Sequence, residues 1–249
     1  MFTSETLLSD KLPDVKVGIG CAPDSKFVET SVRAMNNPNV IIYHDPAQLA
    51  EDLADGSINA AVRGDLSSSK LLPLIRKALG LSVLERAVIL QIRERMVFVA
   101  PVGIDEGWTV DQRIDMAVRT TALMKKLGYE HIRIAVMSGG RSEDGGRNPV
   151  VDQTLADAKA IISRLTAQGY DAYDAQILLE DAVEEADLII APDGIAGNLI
   201  FRCLHFVGGI PAMGAPVINS SKVFVDTSRV KTDYTDSIAL AMRLTEVKP

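Results

Sequence analysis

The sequence predicts an α/β protein built on a largely parallel sheet, and three observations carry that expectation. First, three successive segments read as strand, turn and helix. Residues 15–20 lead to a helix carrying Phe27, Val28, Ser31 and Val32; residues 40–43 lead to a short helix over 46–54; and residues 58–62 pass through Gly64 to a helix with Leu71, Leu72, Ile75 and Leu79. Strands alternating with helices in this way wind right-handedly into a parallel sheet. Second, residues 188–191 are an unbroken apolar run, as in a strand buried on both faces, and residues 132–137 read as another buried strand. Third, polar, glycine-containing turns follow buried strands at 64–69, 138–147 and 193–198. Amide groups and strand ends converge in such turns, which is where open α/β sheets bind ligands.

The remaining elements follow from local signals. Pro23, Asp24 and Ser25 are helix-start residues ahead of Phe27. Residues 84–92 and 96–101 are separated only by Arg93, Glu94 and Arg95 and read as two adjacent strands. Ile114, Ala117, Val118 and Thr121 give residues 111–127 a helical stripe, with Gly128 just past its end. The next helix has Pro149 in its first turn, Val151, Leu155, Ala158, Ile162 and Leu165 along one stripe, and Gly169 after its last turn. A further helix follows Pro192 with Leu199, Phe201, Leu204 and Val207, and the last one carries Tyr234, Ile238, Ala241 and Met242. Neither an internal repeat nor a low-complexity linker marks a domain boundary.

Composition excludes several classes of function. At 249 residues the chain suits one large domain or two smaller ones, and 47% hydrophobic with 24% charged residues is an ordinary globular balance. A net charge of −7, with no lysine and arginine stripe interleaved with aromatics, argues against nucleic acid as a partner. Cys21 and Cys203 are too few for a disulfide framework and are not spaced for zinc, so a reducing compartment is expected. His44, His131 and His205 are widely separated, and no metal site is expected from them. The first residues lack a basic segment ahead of an apolar core, and no run approaches the ~20 apolar residues of a membrane span. A soluble cytoplasmic protein is the expectation.

Two turns and one residue pair are the candidate sites. Ser138, Gly139, Gly140, Arg141 and Ser142 stand between a buried strand and a long helix. They read either as amides that hold a phosphate or as a surface turn, and they match neither a Walker loop nor the dinucleotide fingerprint. Ser228 and Arg229 combine a hydroxyl with a guanidinium fork that suits phosphate or carboxylate; the other reading is a helix-capping serine beside a surface arginine. Asp193 and Asn198 serve either a ligand or their own turn. Cys21, after a glycine turn, is either a nucleophile or a small buried residue. Phe201, Leu204 and Phe206 are enough for both a core contact and a homodimer seam.

Taken together, Pro192-Asp193, Ala196-Gly197-Asn198, Gly214-Ala215-Pro216 and the segment Asp226-Thr227-Ser228-Arg229 resemble the ordered motifs of the phosphate acetyl/butyryltransferase superfamily. More narrowly, the chain resembles the methanogen marker proteins described as methyltransferase-related subunit X, an archaeal branch of that superfamily. The resemblance implies a two-domain α/β/α fold of the isocitrate/isopropylmalate dehydrogenase-like type, with a cleft between the domains. Residues 1–80 plus 226–249 would form one domain and 81–225 the other. It implies that a small anionic ligand, phosphate or a coenzyme A thioester, is bound by Gly64, Ser67, Ser68, Ser138, Gly139, Gly140, Arg141, Asp193, Gly197 and Asn198. Ser228 and Arg229 would be the phosphate-binding pair, and Asp236, with Asp233 as the other candidate, the base for the thiol. No cofactor is required by such chemistry. The chain also departs from the family: Ser67 stands at the histidine position of the G-x-x-H-T-T/S element. Leu74 replaces the arginine of the following helix, while Arg76 is two residues away, about 200° around the helix. A methanogenesis-associated protein that keeps an anion-binding cleft without acyl transfer is the alternative reading.

Overall fold

The computed structural model describes residues 11–23 and 25–247; Asp24 and residues 1–10, on which the leader expectation rests, lie outside the described residues. The first third of the chain follows the expected alternation. Strand β1 (Val17–Gly20) is wholly buried and leads to α1 (Lys26–Met35), which opens on the Ser25 side chain and closes on Asn36 at φ 45°. Strand β2 (Val40–Tyr43) is followed by α2 (Pro46–Asp55), where Asp45 caps the Ala47 amide at 2.9 Å and Pro46 occupies the first turn, as its missing N–H permits. Strand β3 (Ala60–Val62) leads to α3 (Ser68–Ala78).

The middle of the chain opens with an antiparallel pair, β4 (Val88–Ile92) and β5 (Arg95–Ala100), turning at Arg93 with φ 56°. Helix α4 (Val110–Lys126) begins on a reciprocal cap between Thr109 and Gln112. Strand β6 (Arg133–Met137) and α5 (Pro149–Ala167) follow. The buried positions of α5 are Leu155, Ala158, Ile161 and Leu165, so the stripe turns through Ile161 where the spacing pointed to Ile162. Strand β7 (Asp171–Gln176) and α6 (Leu179–Glu185) come next, then β8 (Leu188–Ile190) and α7 (Gly194–Arg202), which continues into a π-helical turn over 203–207. Strands β9 (Ala212–Pro216) and β10 (Val223–Asp226) and helix α8 (Thr235–Val247) complete the chain.

Two compact units result: residues 85–212 form one, and the chain up to 84 together with 213 onward forms the other. The division falls at 84 and 213, where the family resemblance put it at about 80 and 226. The later part of β9 pairs with β10, Val225 against Pro216 and Asp226 against Ala215, and so belongs with the strand it flanks. In this terminal unit the strands run β2-β1-β3-β10-β9, with the first four parallel. Leu49, Leu53, Leu71, Ile75 and Phe224 are wholly buried in its core. At ~1.5–3 kcal/mol each, these residues make α2 and α3 packed elements and not appendages. In the middle unit the order is β4-β5-β8-β6-β7, with β5, β8, β6 and β7 parallel. A buried Arg113 joins α4 to α5 through Asp157 at 2.5 Å. Among the described residues, no helix is long and apolar enough to cross a membrane.

Candidate functional site

The terminal unit holds about half of the expected groups, and three of its strands end together. Val62 pairs in register with Ile19 on one side and Val225 on the other, so the chain leaves β1, β3 and β10 at the same end of the sheet. Three connections emerge there side by side. They are tied together: Asp65 accepts the Ala22 amide at 2.7 Å, and Thr227 Oγ1 donates to the Gly64 carbonyl at 2.8 Å. Arg63 is buried and its Nε donates to Asp226, while Nη1 donates to the Leu66 carbonyl at 3.0 Å. Cys21 is buried at the end of β1, and burial, with Asp65 beside it, pushes its thiol pKa up; this disfavours the thiolate that a nucleophile needs. His44 Nδ1 lies 3.0 Å from the Cys21 carbonyl.

Two features of this edge suit an anion. Helix α3 starts at Ser67 without a side-chain cap bond, and the Ser67 hydroxyl instead lies 2.9 Å from that of Ser69. No side chain caps the first amides of this eleven-residue helix, whose start carries three hydroxyls at residues 67–69 and the positive end of the helix dipole. On the adjoining connection, Arg229 is exposed and makes no ion pair among the described residues. The expected competitors for it are committed elsewhere: Asp226 to Arg63, and Asp233 to the Thr235 amide and hydroxyl at 2.9 and 2.8 Å. Ser228 is held from behind by the Tyr234 hydroxyl, which donates to its carbonyl at 3.0 Å, and the Val230 amide donates to its own hydroxyl at 3.4 Å.

The two candidate acids differ in environment. Burial tends to raise Asp233, but the Thr235 amide and hydroxyl and the Ser31 hydroxyl outweigh it and hold the carboxyl below its ordinary range. Asp233 is thereby spent on starting α8. Asp236, in the first turn of that helix, pairs with Lys231 Nζ at 2.8 Å and accepts the Ser237 amide at 2.6 Å. Burial pushes it above the ordinary range in spite of Lys231, which is the environment a general base requires. Arg76 donates to the Ser82 carbonyl at 3.2 Å beyond the far end of α3.

In the middle unit, β6 and β8 end side by side, so the 138–141 turn and the 193–198 turn also leave one edge together. Several of their polar groups bond within the turns or to neighbouring elements of the same unit. The Gly139 amide donates to Thr154 Oγ1 at 2.8 Å, the Arg141 amide to Asp144 at 2.9 Å and the Ser142 amide to Gln176 at 3.3 Å, while buried Ser138 donates to the Gly140 carbonyl at 2.9 Å. Asp193 caps the Ala196 amide at 2.8 Å, and Asn198 donates to the Val102 carbonyl at 2.9 Å. At Gly197 a Cβ would stand 1.8 Å from the Pro101 carbonyl oxygen, so only glycine lets α7 lie on the 101–107 turn.

The fold is that of the phosphotransacylases. A branched-chain phosphotransacylase from Enterococcus faecalis superposes with a TM-score of 0.73 at 14% identity, over 93% of this chain and 99% of that one. No family model matches the chain. In sequence it is 42% identical over 207 residues to a Methanosarcina acetivorans protein named "Putative methyltransferase mtx subunit X", covering 82% of this chain and 74% of the relative. A phosphate acetyltransferase from Thermotoga maritima is 24% identical over 88% of this chain and 81% of its own length. The chain belongs to the mtx subunit X family, a branch of the phosphate acetyl/butyryltransferase superfamily, in agreement with the motifs read from its residues.

Proposed function

We propose that this protein moves an acyl group between coenzyme A and phosphate, with the phosphate held by Arg229, Ser228 and the amides and hydroxyls of residues 67–69. The observation that supports this most is an exposed arginine with no ion pair among the described residues, three residues past the end of β10, the strand that pairs with β3, from which the chain runs to an uncapped helix N-terminus. In the forward direction a phosphate oxygen attacks the thioester carbonyl, the new C–O bond replaces the C–S bond, and the thiolate leaves. In reverse, Asp236 takes the thiol proton, the thiolate attacks the acyl phosphate carbonyl, and the new C–S bond replaces the C–O bond as phosphate leaves. Positioning and charge neutralisation carry the reaction.

Incubation of the pure protein with acetyl-, propionyl- and butyryl-coenzyme A plus phosphate, read as thiol release, tests this; no turnover with any of them removes it. The reverse rate carries a sign that can be checked. A base acts only when deprotonated, and the Asp236 pKa is raised. The rate should therefore fall with decreasing pH through a limb that lies above the ordinary carboxylate range. Asp236→Asn should abolish that limb and slow the reaction about 10²- to 10⁴-fold; an unchanged limb in the variant assigns the proton to another group.

A second reading rests on the relatives, which are named as methyltransferase subunits, and on Leu74, which stands where the acyltransferases carry an arginine. In that reading the anion site persists without acyl transfer. Calorimetry against coenzyme A, coenzyme M, phosphate and pterin analogues separates the two: binding without thiol release supports the second.

A further inference from the structure

We propose that Arg63 is the positioning residue of the anion site, setting the 67–69 turn and the Ser228-Arg229 connection in one fixed arrangement; this rests on the anion-binding reading above. Its side chain is 9% exposed and its guanidinium bonds to both sides, Nε to Asp226 and Nη1 to the Leu66 carbonyl at 3.0 Å. Leu66 immediately precedes Ser67, and Asp226 lies two residues before Ser228, so one planar group spans the roots of both halves of the site. The strands themselves do not need this tie. Ala60, Ala61 and Val62 already pair in parallel with Val223, Phe224 and Val225, and the Arg63 amide adds a bond to the Val225 carbonyl at 3.0 Å. The side chain thus holds what lies past the ladder. Only a fork reaches both partners at once, and a lysine keeps the charge but satisfies one of them at most.

The test compares wild type, Arg63→Lys and Asp226→Asn, the last being a milder cut of the same tie. Amide hydrogen exchange reads the geometry without any ligand. Lys70 and Leu71, whose amides bond to Ser67, and Lys231, whose amide bonds to Ser228, should lose protection about tenfold or more in both variants, while the Ala61 and Phe224 amides keep theirs. Titration with inorganic phosphate should show about tenfold weaker binding in each variant, and Arg229→Lys should add little on top. Unchanged exchange at the two turns overturns the proposal. So does loss of protection in β3 and β10 as well, which would make Arg63 a general staple of the fold. If wild type binds no phosphate, the functional reading falls, and the exchange pattern alone decides the role of Arg63.

Discussion

Replacing Glu106 by alanine is expected to destabilise the 85–212 unit by about 3 to 5 kcal/mol, the cost of removing one partner of a buried ion pair. The side chain is 0% exposed, and both oxygens are used. One accepts Arg86 Nε at 2.6 Å; the other accepts the Arg86 amide at 3.0 Å and the Val102 amide at 3.4 Å. Alanine removes the nearer carboxylate from a guanidinium whose side chain is 11% exposed and leaves it the mostly exposed Asp105 at 3.7 Å, and it withdraws the acceptor from two amides. The effect spreads because the Glu106 carbonyl accepts the Gly194 amide at 3.1 Å, and the 101–107 turn is the surface on which α7 rests. Urea unfolding checks this. A loss under about 1 kcal/mol, the worth of an exposed pair, would mean that solvent reaches Glu106 in solution.

The second large effect is expected at Gly64, where two penalties coincide. Its φ is +60°, and a Cβ would fall 1.8 Å from the Gly20 carbonyl oxygen, a backbone atom that cannot swing aside. An L-residue in the left-handed region costs about 1–2 kcal/mol, and forcing atoms into a packed site about 1–3 kcal/mol more. Gly64→Ala should therefore cost about 2 to 5 kcal/mol. Gly80→Ala isolates the first penalty, because Gly80 has φ +66° with nothing within 4 Å, and it should cost only about 1–2 kcal/mol. Equal losses in the two variants would show that β1 and the 64–67 turn separate easily. That outcome would also weaken the argument that three connections hold one site.

Much of the fold was legible because burial leaves a pattern in the sequence. Val17 and Ile19, Ala60 to Val62 and Leu188 to Ile190 are apolar since they are covered on both faces, and the helices between them begin on Ser25, Asp45, Asn148 and Asp193. The elements that escaped notice lack that pattern. Strand β7 lies at a sheet edge and reads DAYDAQ, with two aspartates and only Ala172 and Ala175 buried. Helix α6 is seven residues with four acids, and β9 contains a glycine and a proline that mimic a loop. At the site, Ser228 and Arg229 were visible as a short motif. The tie from Arg63 to Asp226 was not, because it joins residues 163 positions apart, and only the β3 to β10 pairing brings them together. The 138–142 turn hides its partners in the same way: the acceptors of the Gly139 and Ser142 amides, Thr154 and Gln176, arrive 15 and 34 residues later.

The central claim is that the terminal unit binds an oxyanion through a two-pronged guanidinium contact from Arg229. Titration calorimetry of wild type and Arg229→Lys with phosphate, and then with coenzyme A, tests it most directly. Arg229 is exposed and free of ion pairs among the described residues, so the substitution should leave unfolding by urea nearly unchanged. Lysine keeps the charge but loses the fork. Affinity should then drop by about 1.5 to 3 kcal/mol, the range of a charge-assisted hydrogen bond. Equal affinity in two folded proteins, or no binding by either, would contradict the account.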